Sequence, residues 1–145
     1  MNDPLSSASV PGPAASPART PDLEALQAQL PALASRLVEV DRLPWRDTPS
    51  PKIKMKILLE DRSSGLMTAL FRWEPGAVLG DHEHVRIEQS FLLEGSIEDD
   101  EGECTAGNFV WRPAGSRHAA RSRNGALVLA MFLAPNRFFG GDPAA

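Results

Sequence analysis

Three histidines, His82, His84 and His118, are the only imidazoles in the 145-residue chain. Two of them lie in the segment Gly76-Ala-Val-Leu-Gly-Asp-His82-Glu83-His84-Val-Arg-Ile-Glu88-Gln-Ser-Phe-Leu-Leu-Glu-Gly95. In an extended strand, residues two apart point to the same face, so His82 and His84 project together. Glu88 has the same parity and follows them if the strand resumes. His118 arrives in a second glycine-proline frame, Gly107-Asn-Phe-Val-Trp-Arg-Pro113-Ala-Gly115-Ser-Arg-His118. There Pro113 and Gly115 predict a turn, and a return strand starting at His118 can run beside the first pair. Two or three imidazoles and a carboxylate converging on one point suit Fe, Zn, Ni or Cu, and Mn where more oxygen ligands join.

The rest of the composition narrows the alternatives. The single cysteine, Cys104, excludes an intramolecular disulfide framework and any multi-cysteine zinc site. As a nucleophile it would need a base, and the histidines are already assigned, so it reads as an inert thiol. Fifteen Lys+Arg against 19 Asp+Glu argue against a strongly basic nucleic-acid binder. The longest apolar run, residues 126–134, is far short of a membrane span. No charged start followed by an apolar stretch precedes residue 20, so the expected location is the reducing cytoplasm.

These side chains need elements to carry them. Nine of 13 prolines fall in the first 51 residues, whereas ten of 11 glycines fall from Gly65 onward, which divides the chain in two. Residues 1–20, rich in Ser, Ala and Pro, read as a disordered tail. Residues 21–50 read as a helical or irregular arm. Thr20 can cap a helix, Pro21 suits its first turn, and Leu23, Leu26, Leu30, Leu33 and Leu37 form one stripe, broken at Pro31. From residue 51 to 139, short apolar runs at 53–59, 66–73, 89–93, 108–112, 118–121 and 126–133 alternate with turn residues. That is the pattern of an all-β sandwich or barrel. Residues 140–145 form a short tail.

The two metal-binding segments resemble the motifs of the cupin superfamily. The first motif is a glycine, five residues, His-x-His, three or four residues, Glu, six residues and a glycine. It is matched without a gap from Gly76 through His82, His84 and Glu88 to Gly95. The second, a glycine, five residues, Pro-x-Gly, two residues and His, is matched from Gly107 through Pro113 and Gly115 to His118. The family places Asn four residues later, where this chain has Ser122. The resemblance implies a double-stranded β-helix, a small jelly-roll barrel. It also implies one divalent metal per chain, Fe(II) or Zn(II) first and Mn or Ni next, held by His82, His84, Glu88 and His118.

Residues 93–118 also look like the cupin half of zinc-dependent anti-sigma factors and like small acetylacetone-cleaving dioxygenases. The anti-sigma proteins carry an N-terminal zinc module of His and Cys. This chain has neither before His82, so the resemblance is to the cupin half alone. In the diketone-cleaving enzymes three histidines hold Fe(II) without a glutamate, so Glu88 is either a fourth ligand or a catalytic, substrate-orienting base. The resulting expectation is a non-haem dioxygenase acting on a small diketone-like molecule. The alternative is a non-catalytic sensor with a closed Zn site. A homodimer is expected, with no nucleic-acid or membrane partner.

The neighbouring residues carry expectations of their own. Ser90, Leu92, Ala120 and Ser122 share parity with the ligands and should line a pocket. Phe71 with Trp73, and Phe109 with Trp111, read as core pairs. Glu83 and Gln89 point outward. Arg86, Arg112, Arg117 and Arg121 read as surface ion-pair partners before anion clamps. Five acids at 98–103 read as a solvated hairpin tip. Phe138 and Phe139 should cover one end of the barrel or a subunit interface.

Overall fold

The structure is a computed structural model, and it describes residues 30–140. Ten strands follow one 3-10 turn at Val40–Arg42: β1 Arg46–Asp47, β2 Ile53–Asp61, β3 Leu66–Trp73, β4 Ala77–Glu83, β5 Glu88–Asp99, β6 Gly102–Thr105, β7 Phe109–Arg112, β8 Arg117–Ser122, β9 Ala126–Phe132 and β10 Arg137–Phe138. They form one curled antiparallel sheet in the order β1-β2-β3-β9-β5-β8-β4-β10, with β6 and β7 both on β5. The long β5 carries the curl. Its first half pairs with β9 and β7, and its second half with β6 and, at Glu98, with β8. This is the all-β jelly roll expected from the motifs.

β9 shows how sequence sets the wall. Ala126, Val128 and Ala130 are buried and alternate with outward Leu127, Leu129 and Met131, the period-two pattern of a sheet with one covered face. The inner face is built largely from small residues. Ala69, Ala77, Ala120, Ala126 and Ala130 are five of the nine buried apolar residues. Such side chains cannot fill a barrel interior, and a cavity of about 720 Å³ remains inside.

Of the arm expected to be helical or irregular, the described part beyond residue 30 is irregular apart from the 3-10 turn at Val40–Arg42 and strand β1. Residues 30–38 hold a turn closed by the Ala34 N–H on the Pro31 carbonyl (2.9 Å), then non-helical chain. Leu33 and Leu37 are 61% and 83% exposed, so the leucine stripe is not buried there. A helical run this short, starting at a proline, does not sustain itself without packing. The stretch 21–29 of that arm and both predicted tails up to residue 20 and from 141 lie outside the described residues. Farther along, Lys56 fastens the arm to the barrel: its ammonium donates to the Val40 carbonyl (3.0 Å) and lies 5.0 Å from the Trp45 ring centre. Among the described residues no helix is long and apolar enough to cross a membrane.

Candidate metal centre

β4 and β8 run side by side with His82 opposite His118. A bulge in β4 between Leu79 and His82 adds one residue and inverts the alternation. Ala77 and Leu79 face inward before it, and His82 and His84 after it, so one strand supplies both barrel wall and site. His84 lies just past the strand end and is fixed by two backbone bonds to the proline-glycine turn. Its N–H donates to the Ser116 carbonyl (2.9 Å), and the Gly115 N–H donates to its carbonyl (2.7 Å). The second motif therefore holds the first.

The three rings meet with centroids 4.7–4.9 Å apart, and one nitrogen from each lies within 4.8 Å of the others. His82 and His84 are fully buried. Each Nδ1 is already committed. His82 Nδ1 is 2.8 Å from the Gly80 carbonyl, and His118 Nδ1 is 2.6 Å from Asp99 Oδ2. His84 Nδ1 is 3.0 Å from Ser116 Oγ and 3.2 Å from its carbonyl. Ser116 spends its hydroxyl hydrogen on the Pro113 carbonyl (2.7 Å) and can only accept from His84. Carbonyl and carboxylate partners also only accept. All three rings thus carry the proton on Nδ1 and offer a bare Nε2. Burial lowers the pKa of His82, against the Gly80 carbonyl, which raises it.

The donor set fits a divalent cation. His84 Nε2 is buried with no hydrogen-bond partner, and 3.1 Å away stands Glu88 Oε2. A lone pair facing a carboxylate oxygen is repulsive unless a proton or cation lies between them. Burial pulls the Glu88 pKa upward, but a proton or positive charge on its His84 side, together with the Asn136 amide (3.0 Å), outweighs it and holds Glu88 below the ordinary carboxylate value. Glu88 sits beside the three-histidine cluster, not within it.

Two residues at the site stand apart from the expectations above. Asp99, placed with the solvated acids, has a side chain only 3% exposed and receives His118. Its other oxygen accepts from the Glu101 and Gly102 N–H groups (2.9 and 3.2 Å), and Arg112 pairs with it and with Glu101. Burial raises the Asp99 pKa, but His118, the Glu101 N–H and Arg112 together bring it below normal. Asn136, read only as part of the closing stretch, donates to Glu88 and lines the cavity.

The other residues divide. Ser90, Leu92 and Ala120 line the cavity, while Ser122 is withdrawn from it and donates to the Ser96 carbonyl (2.7 Å), tying β8 to β5. Phe71 and Trp73 form cavity wall. Phe109 and Trp111 are not core: they stack on each other 47% and 59% exposed, on the face of β7 opposite Val110 and Arg112, although Phe109 also reaches the cavity edge. Phe138 covers the barrel end as expected, its ring 5.2 Å from that of His82. Glu83 pairs with Arg137, Arg117 with Asp81, and Arg121 with Glu98, none of them a member of the three-histidine cluster.

Comparisons with known proteins agree with this architecture. Residues 33–136 match the family described as the ChrR cupin-like domain. No curated protein matches the chain. A structure from Methylibium petroleiphilum PM1, provisionally named an acetylacetone dioxygenase, superposes with a TM-score of 0.69 at 23% identity, covering 75% of this chain and 83% of the other. An acetylacetone dioxygenase from Acinetobacter johnsonii gives 0.67 at 19% identity, covering 76% and 81%. The polyketide cyclase RemF of Streptomyces resistomycificus gives 0.61 at 18% identity, covering 76% and 90%. At these identities the structures establish the shared fold, and the family match over most of the length does the rest: the chain belongs to the ChrR cupin-like domain family of the cupin superfamily.

Proposed function

We propose that this cupin is a non-haem, metal-dependent dioxygenase acting on a small diketone-like substrate, with His82, His84 and His118 as metal ligands. The observation that carries the reading is the set of three Nε2 lone pairs turned to one point at the wall of a roomy cavity. A divalent iron there would bind O₂ and a chelating substrate together and accept electron density from the substrate. The protein's own share is geometric and electrostatic. Gly80, Ser116 and Asp99 orient the rings. Glu88, kept ionised and steered by Asn136, is placed to orient the substrate head or to take its proton as a catalytic base. The apolar walls exclude water. A cytoplasmic location belongs to the same reading and rests on the lone cysteine, Cys104, which allows no disulfide within the chain.

A second reading has its own support. With Glu88 Oε2 at 3.1 Å from His84 Nε2, the carboxylate can join three imidazoles as a fourth ligand. That would make a closed Zn(II) site of a non-catalytic sensor. Metal analysis of anaerobically purified protein, then O₂ uptake with β-diketones after iron loading, separates the two. Iron-dependent O₂ uptake is expected, whereas bound zinc with no uptake after iron loading refutes the dioxygenase. His84→Ala should abolish stoichiometric metal binding, and unchanged metal content would overturn the ligand assignment.

A further inference from the structure

The cavity beside the histidines is far larger than a diketone of acetylacetone's size requires. At about 720 Å³ it falls within the roughly 300–1,000 Å³ that holds drug-sized ligands. Its walls are apolar and shaped: Met55, Met67, Phe71, Trp73, Val128 and Phe132 line it, with Phe71 and Phe132 edge to face at 5.9 Å. A small ligand at the metal would leave most of this wall against water, which the hydrophobic effect disfavours.

Charge restricts the ligand further. Arg112 is the only arginine or lysine among the described residues that line the cavity, and both its arms are held by Asp99 and Glu101. Glu103 lines the same cavity, and Glu98 at its edge is already bridged to Arg121 and Arg123, so a ligand with an anionic tail finds no free cation and meets the Glu103 carboxylate instead. One polar group near the metal is still unpaired. The Asn136 amide gives its N–H to carboxylate Glu88, which fixes which end is which, and leaves Oδ1 buried with no partner. An O–H or N–H on the ligand head would satisfy it.

We infer that the site takes a neutral substrate whose head carries a hydrogen-bond donor, as an enol does, joined to an apolar substituent of aromatic-ring size or larger. This rests on the oxygenase reading for the metal-bound head and adds the rest of the molecule. The methionines and aromatics supply an adaptable apolar surface for the substituent, and the alanine inner face supplies the room.

Calorimetric titration of the zinc-loaded full chain, where no turnover interferes, tests this with acetylacetone, benzoylacetone and ring-carboxylated benzoylacetone. Benzoylacetone should bind at least ~10-fold more tightly than acetylacetone, the gain from burying one phenyl group. The carboxylate should cancel that gain. Val128→Phe, or Met67→Trp if the first does not fold, should remove the gain of benzoylacetone over acetylacetone, and an undiminished gain overturns the placing of the substituent in this cavity. Equal affinity for acetylacetone and benzoylacetone overturns the substituent. If the iron-loaded protein then still consumes O₂ with acetylacetone, the oxygenase reading survives that result. Absence of binding by every diketone, with no O₂ uptake, overturns both.

Discussion

Each imidazole of the site leans on a different acceptor: a backbone carbonyl behind His82, a serine behind His84, and a buried carboxylate behind His118. Only His118 has a full charge behind it, and a carboxylate partner of that kind strengthens a ring as a metal donor. Asp99→Asn keeps an acceptor at that place and removes the charge. It should weaken metal binding by about 10- to 100-fold while leaving the fold intact, as read by competition with a chelator. Affinity equal to the unaltered protein would show that Asp99 serves only the β5–β6 turn. The three histidines and Glu88 were legible in the sequence because each motif places them by local spacing. Asp99 was not, because continuing the alternation from Glu88 turns residue 99 outward. Asn136 was illegible for another reason: it reaches Glu88 only through pairing between β10 and β4.

The elements explain that failure. β5 carries a bulge between Leu92 and Glu94, and the extra residue, Leu93, exchanges its two faces. Glu88, Ser90 and Leu92 face the cavity before it, and Ile97 and Asp99 after it. The bulge ends at Gly95, whose φ is +67° and whose place leaves no room for a side chain: a Cβ there would lie 1.9 Å from the Gly125 carbonyl oxygen. Gly107 has a similar φ of +83° but open space around it. Gly107→Ala should therefore cost about 1 kcal/mol, the price of a left-handed backbone. Gly95→Ala should cost more than ~2 kcal/mol, because the β5–β9 ladder must also part. Urea denaturation midpoints give both, and equal losses would refute the steric account. So the motif glycines were readable as spacing, while the distinction between them needed the neighbouring strand. Strand identity was legible for the same local reasons: β3 and β9 lie within their apolar runs, but β4 has too few apolar residues to announce itself.

Across β5 and β8, Arg121 and then Arg123 hold Glu98 below its ordinary value of 4.5. A depressed carboxylate stabilises the fold above the unfolded pKa and loses that contribution as pH falls through the lower folded value. On acidification from about pH 6 to about pH 3, the unaltered protein should therefore lose more stability than Glu98→Gln. Parallel losses in thermal melts would show that the pairs contribute nothing.

For the whole molecule, the side chains that remain outside matter as much as the hollow inside. Phe91 and Leu93 on β5 and Phe109 and Trp111 on β7 are exposed together, with Phe91 opposite Phe109. A patch of this kind on a sheet face marks a place for association. The homodimer proposed from the sequence would use it. Light scattering should return about twice 15.7 kDa, and Trp111→Lys should shift that toward the monomer. A value of 15.7 kDa for the unaltered protein refutes the dimer. Residues 30–38 were less legible, since leucines at helical spacing do not make a helix where a proline, Pro31, interrupts the run.

The lid over the site is also the last part of the barrel to be synthesised. Phe138 on His82 and Asn136 on Glu88 both come from the final stretch of described chain. During translation the three ligands leave the ribosome well before the groups that cover them. If the site takes its metal, capture can thus precede closure of the cavity, and a chain ended before Asn136 would leave the three histidines unroofed.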